Sequence, residues 1–159
     1  MSLFKKISHL SLNDKFFNEL KKDKNINDSL ILLVILSVWT WAASEFILNQ
    51  DVGFLFIVGL AFFGNLILAF ATHLLIKLMG AKKNYVQTVN PMIWGLIPQL
   101  LFSWIPVQTV VFSLAAVTAV LQIRGVSKLQ NMNWIKVAVA NLMPTIIITI
   151  LFIAYISRF

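Results

Sequence analysis

Residues 78–101 read LMGAKKNYVQTVNPMIWGLIPQLL. Two strongly apolar runs flank a small basic island, Lys82-Lys83 with Asn84 and Tyr85, and two prolines, Pro91 and Pro98, fall inside the second run. Carrying paired lysines through hydrocarbon is costly, so the island reads as a cytoplasmic turn between two membrane helices. Tyr85 and Trp94 beside it are expected to anchor at the membrane interface, where amphipathic aromatics collect.

Composition supports that reading. The 159 residues are 59% hydrophobic and 12% charged, with a mean hydropathy of +0.85, outside the range of ordinary soluble domains. There are no cysteines, which removes disulfides, thiolate metal sites and a cysteine nucleophile together. The net charge of +7 sits beside apolar runs, where it serves membrane orientation and anionic headgroups, and nucleic acid is not expected as a partner. The opening MSLFKKISHLSLNDK has no continuous apolar core, so a cleaved signal peptide is not expected.

A helix needs about 20 apolar residues to cross a bilayer. Runs of that order predict an all-α integral membrane protein. Residues 1–28 form a cytoplasmic amphipathic segment, and residues 29–159 form five transmembrane helices at about 29–48, 53–79, 86–105, 107–123 and 134–156. Spans three and four, joined at Pro106, either cross fully or form a re-entrant pair. Asn27 and Asp28 are expected to start the first helix. Pro91, Pro98 and Pro144 each lack a backbone donor and predict kinks or helix starts in spans three and five.

With the N-terminus cytoplasmic, every Lys and Arg except Arg158 falls on one side of these five spans, and the opposite connections NQDVG and WIPVQ carry none. This predicts a protein of the cell (plasma) membrane with its N-terminus inside and its C-terminus outside. Leu3, Phe4, Ile7 and Leu10, then Phe16, Phe17 and Leu20, recur at helical spacing among lysines. Such a helix either lies in the headgroup layer or covers the bundle's own cytoplasmic mouth, and the basic pattern favours the first. The expected lipid or partner contacts are therefore Phe16, Phe17, Leu20, Lys21, Lys22, Lys82, Lys83, Tyr85, Arg124 and Lys128.

Ionisable residues at membrane depth usually mark function. Glu45 and Lys77 lie near span ends, so no charge is left at the midplane, which weighs against a proton-coupled pump. The polar residues at depth are Asn65, His73, Gln99 and Asn141, expected to bond between helices. Asn65 and Gln99 are placed to reach each other or a backbone. The sequence holds no H-E-x-x-H, P-loop or G-x-S-x-G pattern. His73 and His9 are too few for a zinc set. No enzyme activity, metal or cofactor is expected.

FFNELKKD before the first span, HLLIKLMGAKKNYVQTVNPMIWGLIPQLL, and an RGVSKL turn before the last span come in an order that resembles the Ypt-interacting-protein (Yip) domain family in its prokaryotic branch. Gly80, Tyr85, Pro98, Gly125 and Lys128 anchor the resemblance, which runs from about Asp14 to the end. It implies a five-helix bundle with a cytoplasmic N-terminal segment. In eukaryotic members it would further imply vesicle trafficking and binding to prenylated Rab-type GTPases and partner membrane proteins. The D-L-Y-G-P motif of those members has no counterpart here, and residues 1–28 are a short arm for docking a GTPase. The expected function is thus non-enzymatic association with membrane lipids of anionic headgroup, with a membrane-protein partner or with further copies of the chain. The alternative is a channel or small-molecule transporter built on kinked helices three and five.

Overall fold

In the computed structural model, residues 14–22, 25–47, 53–102, 104–105 and 108–156 are described, and each element they form is helical. The chain runs α1 (Asp14–Lys22), α2 (Asn27–Ala42, continued by a π-helical turn Ala43–Ile47), α3 (Phe54–Leu78), α4 (Val86–Trp94), α5 (Ile97–Phe102), α6 (Gln108–Gln130) and α7 (Trp134–Ile156). The expected features at Leu3, Phe4, Ile7, Leu10, Pro106 and Arg158 lie outside the described residues.

Two helix ends fix the turns on the basic side. At the end of α3 the Ala81 N–H bonds Ile76 O at 2.9 Å and the Gly80 N–H bonds Lys77 O at 3.0 Å. Gly80 has φ +99°, the left-handed conformation that closes a helix in a Schellman motif. The end of α6 repeats the device with Asn131 at φ 55° and the Met132 N–H on Ser127 O at 3.0 Å. Lys77 and Lys128 each lie in the last turn of their helix, where a cation meets the negative end of the helix dipole. α2 starts at Asn27 as expected, but the capping oxygen is Asn25 Oδ1, 3.0 Å from the Asn27 N–H.

Short connections make sequential helices antiparallel. α3 packs on α2, α4 and α7, while α6 packs on α4, α5 and α7. Among the described residues, Asn27–Phe46, Phe54–Leu78 and Thr109–Gln130 are long and apolar enough to cross a membrane, and Trp134–Ile147 is a shorter apolar stretch within α7.

The third expected span, 86–105, is not one helix. It divides into α4 and α5 at Gly95-Leu96, where the Leu96 N–H turns back to Ile93 O at 3.0 Å. Pro98, the second residue of α5, starts that helix where no donor is needed rather than bending a longer one. Pro91 lies inside α4 and Pro144 inside α7, and both helices continue through their proline. The RGVSKL stretch, expected as a turn, is helical, and the turn comes at Asn131–Asn133. Arg124 and Lys128 have stems long enough to reach water from a helix that runs on to the interface.

The packing is inverted relative to a soluble domain. α3 turns Leu55 (82% exposed), Phe56, Leu60, Phe63, Ile67 and Phe70 outward, while Ser29, Thr72, Thr88, Asn90, Gln122, Gln130 and Asn141 are buried. An apolar outer face this extensive is stable in hydrocarbon and not in water. At the centre lies α4, whose residues from Thr88 to Trp94 are all buried and which is flanked by α1, α2, α3 and α6.

Candidate functional site at the basic end of the bundle

The turns at 79–85 and 131–133, the start of α2 and the start of α4 share one end of the bundle, and α4 presents its polar side chains there. On one flank the Ser29 hydroxyl donates to Asn90 Oδ1 at 2.8 Å and the Trp94 Nε1–H donates to Ser29 Oγ at 3.1 Å. Asn90 Nδ2 donates onward to Asn25 O at 3.2 Å. On the other flank His73 Nδ1 and Thr88 Oγ1 share a hydrogen bond of 2.9 Å, and Gln130 Nε2 donates to Thr88 Oγ1 at 2.9 Å and to Asn84 O at 3.2 Å. One layer deeper, Gln122 Nε2 donates to Met92 O at 2.9 Å and Asn141 Nδ2 approaches Gln122 Oε1 at 3.5 Å. Such bonds hold helices together where hydrophobic driving force between them is absent.

α1 closes this end. Phe16, Phe17 (0% exposed) and Leu20 are buried in the chain's own core. Phe16 meets the Trp94 ring edge-on at 5.3 Å. Gly125 makes room for Phe17, since a Cβ there would stand 2.6 Å from Phe17 Cε1 and 2.7 Å from Pro91 Cβ. Lys21 Nζ donates to Asn131 Oδ1 at 2.7 Å, tying α1 to the left-handed residue that ends α6. The apolar face of α1 thus covers the bundle's mouth instead of meeting lipid or a partner, because the pocket over α4 buries both rings more completely than a headgroup layer does.

Tyr85 and Trp94 also depart from expectation. Trp94 is fully buried. The Tyr85 hydroxyl donates inward to Leu66 O at 3.3 Å, and its ring packs edge-on to His73 at 5.4 Å. Burial pushes the Tyr85 phenol above its ordinary range.

Lys82 and Arg124 are exposed, Lys83 and Lys128 are half-buried, and the Lys22 side chain lies outside the described ones. Arg124 and Lys128 line a groove of about 600 Å³ with Val120, Ile123, Ser127 and Trp134. Asn65 and Gln99 do share a site, a cleft of about 260 Å³ between α2, α3 and the α4–α5 break that Ser37 and Thr40 also line. The Asn65 Nδ2 donates to Ala61 O of its own helix at 2.7 Å. Asn141 belongs to the Gln122 layer. Among the described residues no three His, Asp or Glu side chains converge as a metal set.

Sequence reasoning missed Ser29, Thr88, Asn90, Gln122 and Gln130. One signal was present. Thr118, Gln122, Val126 and Gln130 recur at helical spacing along α6 and are buried, the pattern expected of an inner face when the outer face must be apolar.

Long apolar helices with an apolar exterior and a hydrogen-bonded polar interior define an α-helical membrane protein. Within that class the chain belongs to the Yip family, because the model of the Yip1 domain matches residues 10–156, nearly its whole length. Comparison with curated proteins and with solved structures returns no match.

Proposed function

We propose that this is a non-enzymatic membrane protein that acts by associating with lipid or protein at the cytoplasmic face of the cell membrane. The observation that carries this reading is the gathering of Lys21, Lys77, Lys82, Lys83, Arg124, Lys128 and Lys136 at one end of the bundle, around the turns at 79–85 and 131–133. That end faces the cytoplasm by the positive-inside bias. The broken pair α4–α5 serves as the third of five crossings, since irregular backbone is tolerated at depth when it is enclosed by other helices. The N-terminus is then inside and the C-terminus outside.

The chain has no native cysteine, so labelling is clean. Lys82→Cys should react only from the cytoplasmic side and Phe159→Cys only from the outside; reaction of both from one side overturns the topology. Purification in mild detergent should retain anionic lipid or a defined membrane-protein partner. A chain that retains neither is not an association protein of this kind.

One observation favours a second reading, a channel or small-molecule transporter: Asn65 and Gln99 line one cleft. Asn141, the third residue of that reading, is bonded elsewhere. Liposome flux that changes on Gln99→Leu would support transport, and no flux of ions or small solutes would remove it.

A further inference from the structure

We propose that the cleft between α2, α3 and the α4–α5 break binds one neutral hydroxyl-bearing molecule, which donates its O–H groups to Ser37, Thr40 and Asn65 and accepts from the Gln99 amide. Such a site needs neither contact at the cytoplasmic face nor flux, so it stands apart from both readings above.

The cleft lies at membrane depth. Ser37 is ten residues into α2 from Asn27, and Asn65 is eleven into α3 from Phe54. Each is about 15–17 Å from a helix end at ~1.5 Å per residue, near the middle of a hydrocarbon core of about 30 Å. Polar side chains there are expected to join helices, and those around α4 do: Ser29 bonds Asn90, His73 bonds Thr88 and Gln122 bonds Met92 O. The side chains of the cleft act otherwise. The Ser37 hydroxyl donates to Leu33 O at 2.8 Å, the Thr40 hydroxyl to Leu36 O at 2.9 Å and Asn65 Nδ2 to Ala61 O at 2.7 Å, each within its own helix. Joining helices therefore does not account for three polar groups placed around one cavity in hydrocarbon.

These bonds also set what the cleft can recognise. A hydroxyl carries one hydrogen, and Ser37 and Thr40 give theirs to the backbone, so both present oxygen as an acceptor. Asn65 adds Oδ1. Gln99, in α5 just past the break, brings an amide with both donor and acceptor. A lining rich in acceptors takes a ligand that donates. Among the described residues no charged side chain lines the cleft, and a charged ligand at this depth would meet no counter-charge, which is costly. Leu33, Leu36 and Leu96 supply an apolar wall. An alcohol meets all of these demands: its O–H donates, its oxygen accepts from Gln99 and its carbons pack on the leucines.

Size limits the occupant further. At about 30 Å³ for a group the size of water, a cleft of about 260 Å³ takes a head of a few hydroxyl and methylene groups. It lies just below the range of drug-sized sites, about 300–1,000 Å³. Ser37 is buried, whereas Thr40 and Gln99 are exposed, so the cleft opens on their side. The alcohol is either the head of a neutral lipid or a free polyol.

The test uses the full chain purified in mild detergent. Dioleoylglycerol serves as the lipid alcohol, its methyl ether as the same chains without the O–H, and labelled free glycerol as the soluble polyol. Bound lipid is counted by native mass spectrometry and glycerol by equilibrium dialysis. The wild-type chain should retain dioleoylglycerol over the ether by about 5-fold, the effect of one hydrogen bond, which identifies a membrane lipid as the source; uptake of glycerol instead identifies a free polyol. Ser37→Ala/Thr40→Val removes two acceptors and no bond between helices, and should lower binding of the alcohol that is held roughly 25-fold. Ser113→Ala removes a hydroxyl that makes the same kind of bond within α6, to Thr109 O at 2.8 Å, away from the cleft, and should leave binding within about twofold. Equal retention of alcohol and ether with no uptake of glycerol overturns the site, as does equal loss in the two variants or loss in neither. Both functional readings above survive that result, since lipid or partner retention and liposome flux test them separately. As a measurement that needs no variant, a diazirine-bearing alcohol should crosslink within residues 33–40, 61–65 or 96–99, and crosslinks elsewhere alone overturn the assignment.

Discussion

Replacing Gly125 with alanine should unseat α1. The added Cβ would lie 2.6 Å from Phe17 Cε1, 3.2 Å from Phe17 Cδ1 and 2.7 Å from Pro91 Cβ. Phe17 could swing away only by leaving a site where it is fully buried between Gly125 and the Phe16 ring, 5.6 Å distant. Pro91 is held in a helix buried on all sides and has no such freedom. Overpacking of this kind costs about 1–3 kcal/mol. Since α1 is a nine-residue helix, too short to be stable in water by itself, its order depends on docking. A penalty of that size shifts the docked-to-undocked ratio roughly 5- to 150-fold. The assay is hydrogen exchange over residues 16–22, which leaves the Phe17 ring in place. Gly125→Ala should raise the exchange rate of α1 by about that factor while α3 and α7 stay protected. If α1 keeps its protection and the whole bundle melts lower instead, the closeness of α6 to Pro91 dominates, and the seating of Phe17 is not what Gly125 provides.

The two Schellman ends give a paired expectation in thermal unfolding. Gly80→Ala should destabilise by about 1–2 kcal/mol because its φ of +99° is unfavourable for any residue with a Cβ, whereas Asn131→Gly should leave that helix end intact and lose only the Lys21 bond. Gln130→Leu removes the donor to both Thr88 Oγ1 and Asn84 O and should cost about 1–3 kcal/mol, with a visible change in the His73 imidazole resonances as Thr88 loses one partner. Burial raises the Tyr85 phenol above its ordinary pKa of 10.0, so the folded state holds this proton more tightly than the unfolded one. The resulting stability is complete below pH 10 and is lost as pH rises through the higher folded value. Melting temperatures between pH 8 and 11 should show an alkaline decline that Tyr85→Phe flattens.

Hydropathy identified the long helices and the basic turns because those depend on solvent alone: apolar residues enter hydrocarbon and lysines stay in water. It failed where the question was which apolar residues face inward. Val89, Met92 and Ile93 are buried among helices, and no periodicity separates protein from lipid as a surrounding for an apolar side chain. The same ambiguity put Phe16, Phe17 and Leu20 at the membrane. Their spacing predicts a helix with one apolar face and is silent on what covers it, and Gly125, more than a hundred residues away, decides the matter by leaving a notch. The extent of α6 was hidden for another reason. Arg124 and Lys128 end a hydropathy window without ending a helix, because long basic side chains reach water from positions that stay helical.

A short, broken helix at the centre of a membrane bundle raises the question of where its loose backbone groups go, since each one left unsatisfied in hydrocarbon costs several kcal/mol. α6 answers at Met92 with Gln122, and Gln130 adds a second donor to Asn84 O, which already takes the Gln87 N–H at 3.1 Å. Asn84 and Met92 bracket α4 with carbonyls at its two ends, eight residues apart, and Gln130 and Gln122 on α6 are also eight residues apart. Because the helices are antiparallel, Gln130 meets Asn84 O and Gln122 meets Met92 O over the same rise of about 12 Å. The need at Met92 is local in origin. The Leu96 N–H, the donor a continuing helix would bring to that carbonyl, turns to Ile93 instead, and the Gln122 amide takes its place at 2.9 Å. Gly125 and Pro91 fall between the two glutamine contacts, where the helices approach closely enough for both amides to reach at once. The register of α6 on α4 is therefore set at three points. A shift of α6 by even one residue would part both glutamines from their carbonyls and push a side chain into the notch that holds Phe17. The polar centre, the break in α4 and the seating of α1 are in this sense one structural device, and the basic groove at the end of α6 takes its position from it.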